Sequence, residues 1–331
     1  MIKRNILFFL YSFVIIYCLF YGARAWPTWF LTSPYLYLSF FIIVVIFFST
    51  NKIRIRLTFI EIIAFLLYFV TFMSISDMSF NGLLGNFLIA SIVSSVFLLS
   101  KKYAEGLLRN IQSVMFYILI PSLVLHFIFL FYNYPSPFII QNEWSERYVF
   151  FNYFFLIKNE ILYQNRFCGI FLEPGYLAAL CSFLLFVDKY DLKKKENKIL
   201  VLAVMVSLSL AGYIFLAVGY MLLRANKIVD LLKKIFGLLF YVLLFYTIFT
   251  NYDDGDNIVN KSIIERLQLD KEKGIKGNNR VTGVVDDYYD FFLKSDELWS
   301  GYGKKEMQRI RQYESDWIAA GYKPFLMQNG I

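Results

Sequence analysis

Eight apolar runs, at 6–21, 35–49, 57–74, 83–99, 111–132, 170–187, 199–223 and 235–250, dominate the chain. Their lengths lie near the ~20 residues that a helix needs to cross a hydrocarbon core of ~30 Å. Hydrophobic residues make up 58% of the 331, which excludes an ordinary soluble domain. A bilayer offers no water to backbone N–H and C=O groups, so runs of this kind fold as helices that satisfy themselves. The expectation is an all-α, polytopic integral membrane protein.

Charge orders the helices. The net charge is +8, and 17 of the 33 Lys and Arg fall in five short segments, 3–4, 52–56, 101–109, 189–198 and 224–234. Short basic loops stay in the cytoplasm, so all five are expected there, the N-terminus included. The basic charge then reports topology, and no nucleic acid is implied. One run breaks the parity: between "DLKKKENK" and "RANKIVDLLKK" lies only 199–223. Two cytoplasmic flanks require it to cross twice or to dip in and return. A break at "SLSLAG" (207–212) gives two short helices as a hairpin and about nine spans in all. The alternative is one tilted helix with one basic loop outside.

With the hairpin, 21–34, 74–82, 133–166 and everything after 251 face outward. All five Trp residues, Trp26, Trp29, Trp144, Trp299 and Trp317, lie in these segments. Trp26 and Trp29 fit interfacial anchors, whereas Trp299 and Trp317 call for a small folded cap or a ligand platform. The expected division is a helical domain over 1–250, with an external loop 133–168 inside it, and a large external loop over 251–331. The final "PFLMQNGI" reads as the start of a further span, so the chain is expected to be truncated at Ile331. Cys18, Cys168 and Cys181 show no paired spacing and imply no disulfide framework or metal site. Lys3, Arg4, an apolar run and "ARA" at 23–25 outline a signal peptide, read here as an uncleaved signal-anchor.

The chemistry concentrates at "RFCGIFLEPGYLA" (166–178), where opposite charges stand at the mouth of an apolar run. Ionisable groups there are costly and are functional candidates. Pro174 suits the first position of a helix, and Glu173 sits where the helix dipole favours an anion. Arg166 offers a planar fork suited to phosphate. The plainer reading is that Glu173–Pro174 only starts a helix and Arg166 anchors it, which leaves the pairing of Arg166 with Glu173 unexplained.

This stretch resembles the signature of bacterial O-antigen and capsular polysaccharide polymerases, a superfamily shared with O-antigen ligases. The "SLSLAG" break (Ser207, Ser209, Gly212), "NNRVTG" (278–283) and "LWSGYGKKE" (298–306) are similar, more loosely, to further elements of that family. The resemblance implies a metal- and cofactor-independent glycosyltransferase in the bacterial inner membrane. On its outer face the growing glycan would leave a polyprenyl-pyrophosphate carrier and join a fresh lipid-linked repeat. Arg166 and Arg280 would stabilise the leaving pyrophosphate, with Glu173 orienting or handling a proton. Asp286, Asp287 and Asp316 are unranked candidates for the base. Tyr176, Trp299, Gly301, Gly303 and Trp317 would meet the substrate. Implied partners are the bilayer, a flippase and a chain-length regulator.

Other signals stay weak. Arg266 with Gly277 fits an Arg-ten-Gly spacing that chance produces easily. "DDYYDFF" (286–292) mixes carboxylates and aromatics, as a sugar site or a solvated helix does. "DDGD" (253–256) lacks the rest of a cation loop and reads as a span-ending turn. His126, the one histidine, reads as an interhelical hydrogen-bonder. The large external loop therefore has none, which weakens a ligase, and Ser315 and Asp316 stand nearest where relatives carry His or Asn. A flippase would predict repeat symmetry and charges deep in spans, yet the acids inside the runs are only Glu61 and Glu173, each near the start of its run.

Overall fold

Helices form where the apolar runs stand: α1 (Ile2–Gly22), α2 (Pro34–Asn51), α3 (Phe59–Ser74), α4 (Phe80–Ser94), α5 (Lys101–Phe131), α6 (Pro174–Val187), α7 (Lys195–Val206), α8 (Leu210–Arg224) and α9 (Ile228–Asn251). The structure, a computed structural model, describes residues 2–30, 33–51, 59–74, 80–132, 138–142, 145–158, 166–224, 228–257, 259–264, 269–270, 274–275, 283–313 and 322–330. Among these, α1, α2 and α5 are long and apolar enough to cross a membrane. Leu83–Leu98, Pro174–Val187 and Leu210–Met221 are apolar but shorter. The expected count of about nine spans is therefore not reached on length and apolarity among the described residues.

The chain divides into two compact units, Met1–Phe245 and Tyr246–Ile331. In the first, one core joins α1, α2, α4, α5, α6 and α7. Tyr11 of α1 stacks on Phe47 of α2 with ring centroids 4.5 Å apart. Its hydroxyl lies 3.0 Å from the Ser95 Oγ just beyond α4, so a buried phenol keeps a partner.

The last apolar run before α9 breaks at 207–209 into α7 and α8, and both pack on α6. Asn197 at the start of α7 donates to Asp188, the residue after α6, at 2.6 Å. Tyr190, two residues further on, donates to Phe215 O of α8 and sets its ring against Tyr220. The start of α7 and the body of α8 thus meet the same end of α6. The break lies at the other end, where Phe167 N–H reaches Val206 O. The two helices form a hairpin.

A sheet departs from the all-α expectation. β1 (Phe138–Asn142), β2 (Ser145–Asn152) and β3 (Ile157–Lys158) form an antiparallel meander with a register shift between Gln141 and Asn142. The aromatic and β-branched residues of 138–152 come in runs too short for a span, and that composition suits strands. Phe150 and Ile157 pack with Trp29 and Leu172 in a cluster of their own.

In the second unit α10 (Gly283–Phe292), α11 (Gly303–Tyr313) and α12 (Tyr322–Asn329) enclose Val285, Phe292, Met307 and Met327. A two-residue strand pair, β4 (Leu269–Asp270) with β5 (Gly274–Ile275), precedes them. The segment read as the start of another span is α12, with Met327 fully buried in this small core. Gly330 follows at φ 85°, its N–H on Leu326 O, as a left-handed helix cap. Asp253–Asp256 forms the turn after α9, and Asn257 Nδ2 donates to Phe249 O and Tyr252 O across it.

Candidate functional site

The site is the N-terminal end of α6 and the irregular segment 166–172 before it. Phe167, Cys168, Ile170, Phe171 and Leu172 are all buried, so their backbone polar groups need protein partners. Those partners come from three directions. Trp26 N–H donates to Ile170 O and Leu172 N–H to Arg24 O, around an isolated antiparallel bridge between Ala25 and Phe171. Ile157 N–H of β3 donates to Gly169 O. Phe167 N–H turns to the hairpin. The exit of α1, the sheet and the hairpin are sewn together through this one segment.

Arg166 faces the hairpin tip. Its Nη2 donates to Leu208 O at 3.0 Å and its Nε to Ser207 O at 3.4 Å. These are carbonyls at the C-terminal end of α7, where a cation is favoured. Glu173 is the N-cap residue of α6, with extended backbone and Pro174 at the first helical position. The expected pairing of Arg166 with Glu173 is not made. Among the described residues Glu173 forms no side-chain hydrogen bond or ion pair, and it is half-buried.

Tyr176 lies one turn into α6, and the Arg24 guanidinium sits over its ring, 5.7 Å from the centroid. Sequence reasoning passed over Arg24 as part of the "ARA" outline. The available signal was a lone arginine directly after an apolar run on the side where basic residues are scarce. Arg24 takes a left-handed φ of 53°, and its carbonyl accepts both Leu172 N–H and Trp29 Nε1–H. Trp26 donates to Phe154 O. The two tryptophans read as lipid anchors are pins between the α1 exit and the sheet.

The remaining candidates divide. Arg280, Asp316 and Trp317 lie outside the described residues, as do Arg266, Gly277 and the side chain of Asp286. Asp287 is exposed on α10, in the second unit. Gly301 and Gly303 take φ of 72° and 75° in the turn leading into α11. Gly301 N–H closes on Glu297 O and Tyr302 N–H on Met327 O, so this Gly-x-Gly has a folding role in seating Tyr302 on the small core. Trp299 is left out of that core at 75% exposure.

His126 of α5 is buried against the rings of Phe127 and Phe167. The interhelical hydrogen bond expected of it is absent among the described residues. The three cysteines are free and buried. No family model, curated protein or solved structure matches the chain.

Proposed function

We propose that the chain is a multi-pass membrane glycosyltransferase that polymerises lipid-linked oligosaccharide repeats on the outer face of the bacterial cytoplasmic membrane. The N-terminus is cytoplasmic, and about nine helices cross or enter the bilayer. One observation carries the reading: Glu173, half-buried at the mouth of the apolar helix α6, has no partner among the described residues. An uncommitted carboxylate at that mouth suits a proton-handling or substrate-orienting role better than a structural one.

In the reaction, the bond from the glycan's anomeric carbon to the carrier pyrophosphate breaks as an acceptor hydroxyl attacks. The hydroxyl proton passes to a carboxylate base, drawn from Asp286, Asp287 or Asp316. Charge on the departing pyrophosphate calls for arginine side chains, and Arg166 and Arg280 are the candidates. Exposed Trp299 offers a ring face to sugars.

Cells producing the Glu173→Gln protein test this. The swap keeps size and hydrogen bonding but removes charge and proton exchange, and chain extension should fall on the order of 10²-fold. Lipid-linked glycan should then appear as single repeats in place of a ladder. A normal ladder from well-expressed Glu173→Gln and Arg280→Ala proteins would refute the proposal.

A further inference from the structure

Non-helical backbone at membrane depth persists only where protein buries it or a cavity receives it. The tip at 207–209 is buried at Ser207 and Ser209, and its polar groups are met locally. Ser207 Oγ donates to Val204 O and accepts Ser209 N–H, Ser209 Oγ accepts Gly212 N–H, and Tyr213 Oη reaches back to Met205 O. Two carbonyls, of Ser207 and Leu208, go to Arg166. Leu208 takes a left-handed φ of 49° to point its carbonyl there, a conformation that costs a non-glycine residue about 1–2 kcal/mol.

Helix length fixes where this tip can lie. The basic residues Lys198 and Arg224 bound the apolar parts of α7 and α8, and the segment just after α6 meets α7 at Asn197 and α8 at Phe215 and Tyr220. Measured back from the tip, the apolar part of α7 runs only about 12 Å and that of α8 about 21 Å. Tilt shortens both further. Against a core of ~30 Å, the tip stops short of the opposite boundary by roughly 10 Å.

We infer that α7 and α8 are a re-entrant hairpin ending inside the bilayer, and that Arg166 is the latch holding its tip against 166–172. A guanidinium at that depth is costly unless polar partners receive it, and the two tip carbonyls do so. Arg166 thus has a positioning role besides any contact with substrate. It fixes the tip, and through Gly212 on Ala178 the tip fixes the first turns of α6, where Glu173 and Tyr176 stand. The inference holds whatever reaction the site performs.

Depth and latch are tested in lipid nanodiscs by readouts independent of activity. Because the native cysteines are buried, single fluorophores can be placed at Ala211→Cys, exposed beside the tip, and at Phe131→Cys, exposed at the end of α5. Lipids carrying nitroxides on the acyl chain should quench the Ala211 label most, and headgroup nitroxides the Phe131 label. Equal, headgroup-level quenching of both would overturn the re-entrant hairpin. For the latch, Arg166→Gln should raise amide exchange at 207–212 by about tenfold or more, the loss expected for hydrogen bonds to a charged group. Arg166→Lys should raise it less, with α5 amides unchanged in both. Unchanged tip exchange in a folded Arg166→Gln protein would overturn the latch. If that variant fails to fold, unchanged tip exchange in Arg166→Lys would do so.

Discussion

Gly212 sets how closely α8 approaches α6. A Cβ built there would lie 2.6 Å from Ala178 Cβ and 3.0 Å from Val204 Cγ1. Ala178 has no flexible end that could move aside, so the helices must part. Gly212→Ala would gain up to ~1 kcal/mol of helix propensity, and overpacking of this kind costs about 1–3 kcal/mol. The clash wins, and thermal unfolding in detergent should begin at a lower temperature. Adding Ala178→Gly should restore part of the loss, because the two positions share one contact.

Asp188 gives a pH-dependent case. Burial alone would raise its pKa, but hydrogen bonds from Lys194, Asn197 and Gln112 outweigh that and hold it below the usual carboxylate range. A depressed carboxylate stabilises the fold above its unfolded pKa of about 3.9, and that contribution disappears as the pH falls through the folded value. Asp188→Asn should therefore cost about 1–3 kcal/mol at pH 7. Unfolding curves of the two proteins should converge as the pH falls below the usual carboxylate range, and a gap independent of pH would argue against the network.

At the scale of elements, the hairpin answers the parity problem set by the lysines. Both flanks of 199–223 carry basic clusters, and α7 and α8 both pack on α6, with the start of α7 and Phe215 of α8 reached from the segment that follows it. Cysteines at Lys193 and Lys227 should accordingly react with an impermeant maleimide only from the cytoplasmic side of oriented vesicles. Labelling from opposite sides would mean that the run crosses once. Sheet β1–β3 is the element that the apolar pattern hid. Its residues resemble a broken span in composition, and although its strands pair as a local meander, the packing beneath them comes from residues distant in sequence, Trp29 and Leu172.

For the whole molecule, each unit has its own core. Residues 246–331 bury Phe292 fully beside Val285, Met307 and Met327. Phe292→Ala removes most of a ring from a core with few other large side chains, a loss of about 3–5 kcal/mol. So small a core has little reserve. Limited proteolysis should cut within 283–330 far faster in this variant, with exchange at α6 amides as the internal reference. Unchanged cleavage would mean that this unit draws its stability from elsewhere.

Sequence by itself determined the helical, membrane-suited character of the chain, because apolar length and backbone self-satisfaction leave few other folds. It placed a break within 207–212 from charge placement, and it marked Arg166 and Glu173 because charges and Glu-Pro at the mouth of an apolar run are conspicuous in one dimension. Tertiary structure alone decided what those residues touch. It gave Arg166 two hairpin carbonyls in place of Glu173, brought Arg24 onto the ring of Tyr176 from a segment some 150 residues away, and made Gly301 and Gly303 part of a folded turn. The physical reason is that hydrogen-bond partners for irregular backbone are chosen by proximity after packing, and a linear pattern of polarity carries no record of that proximity.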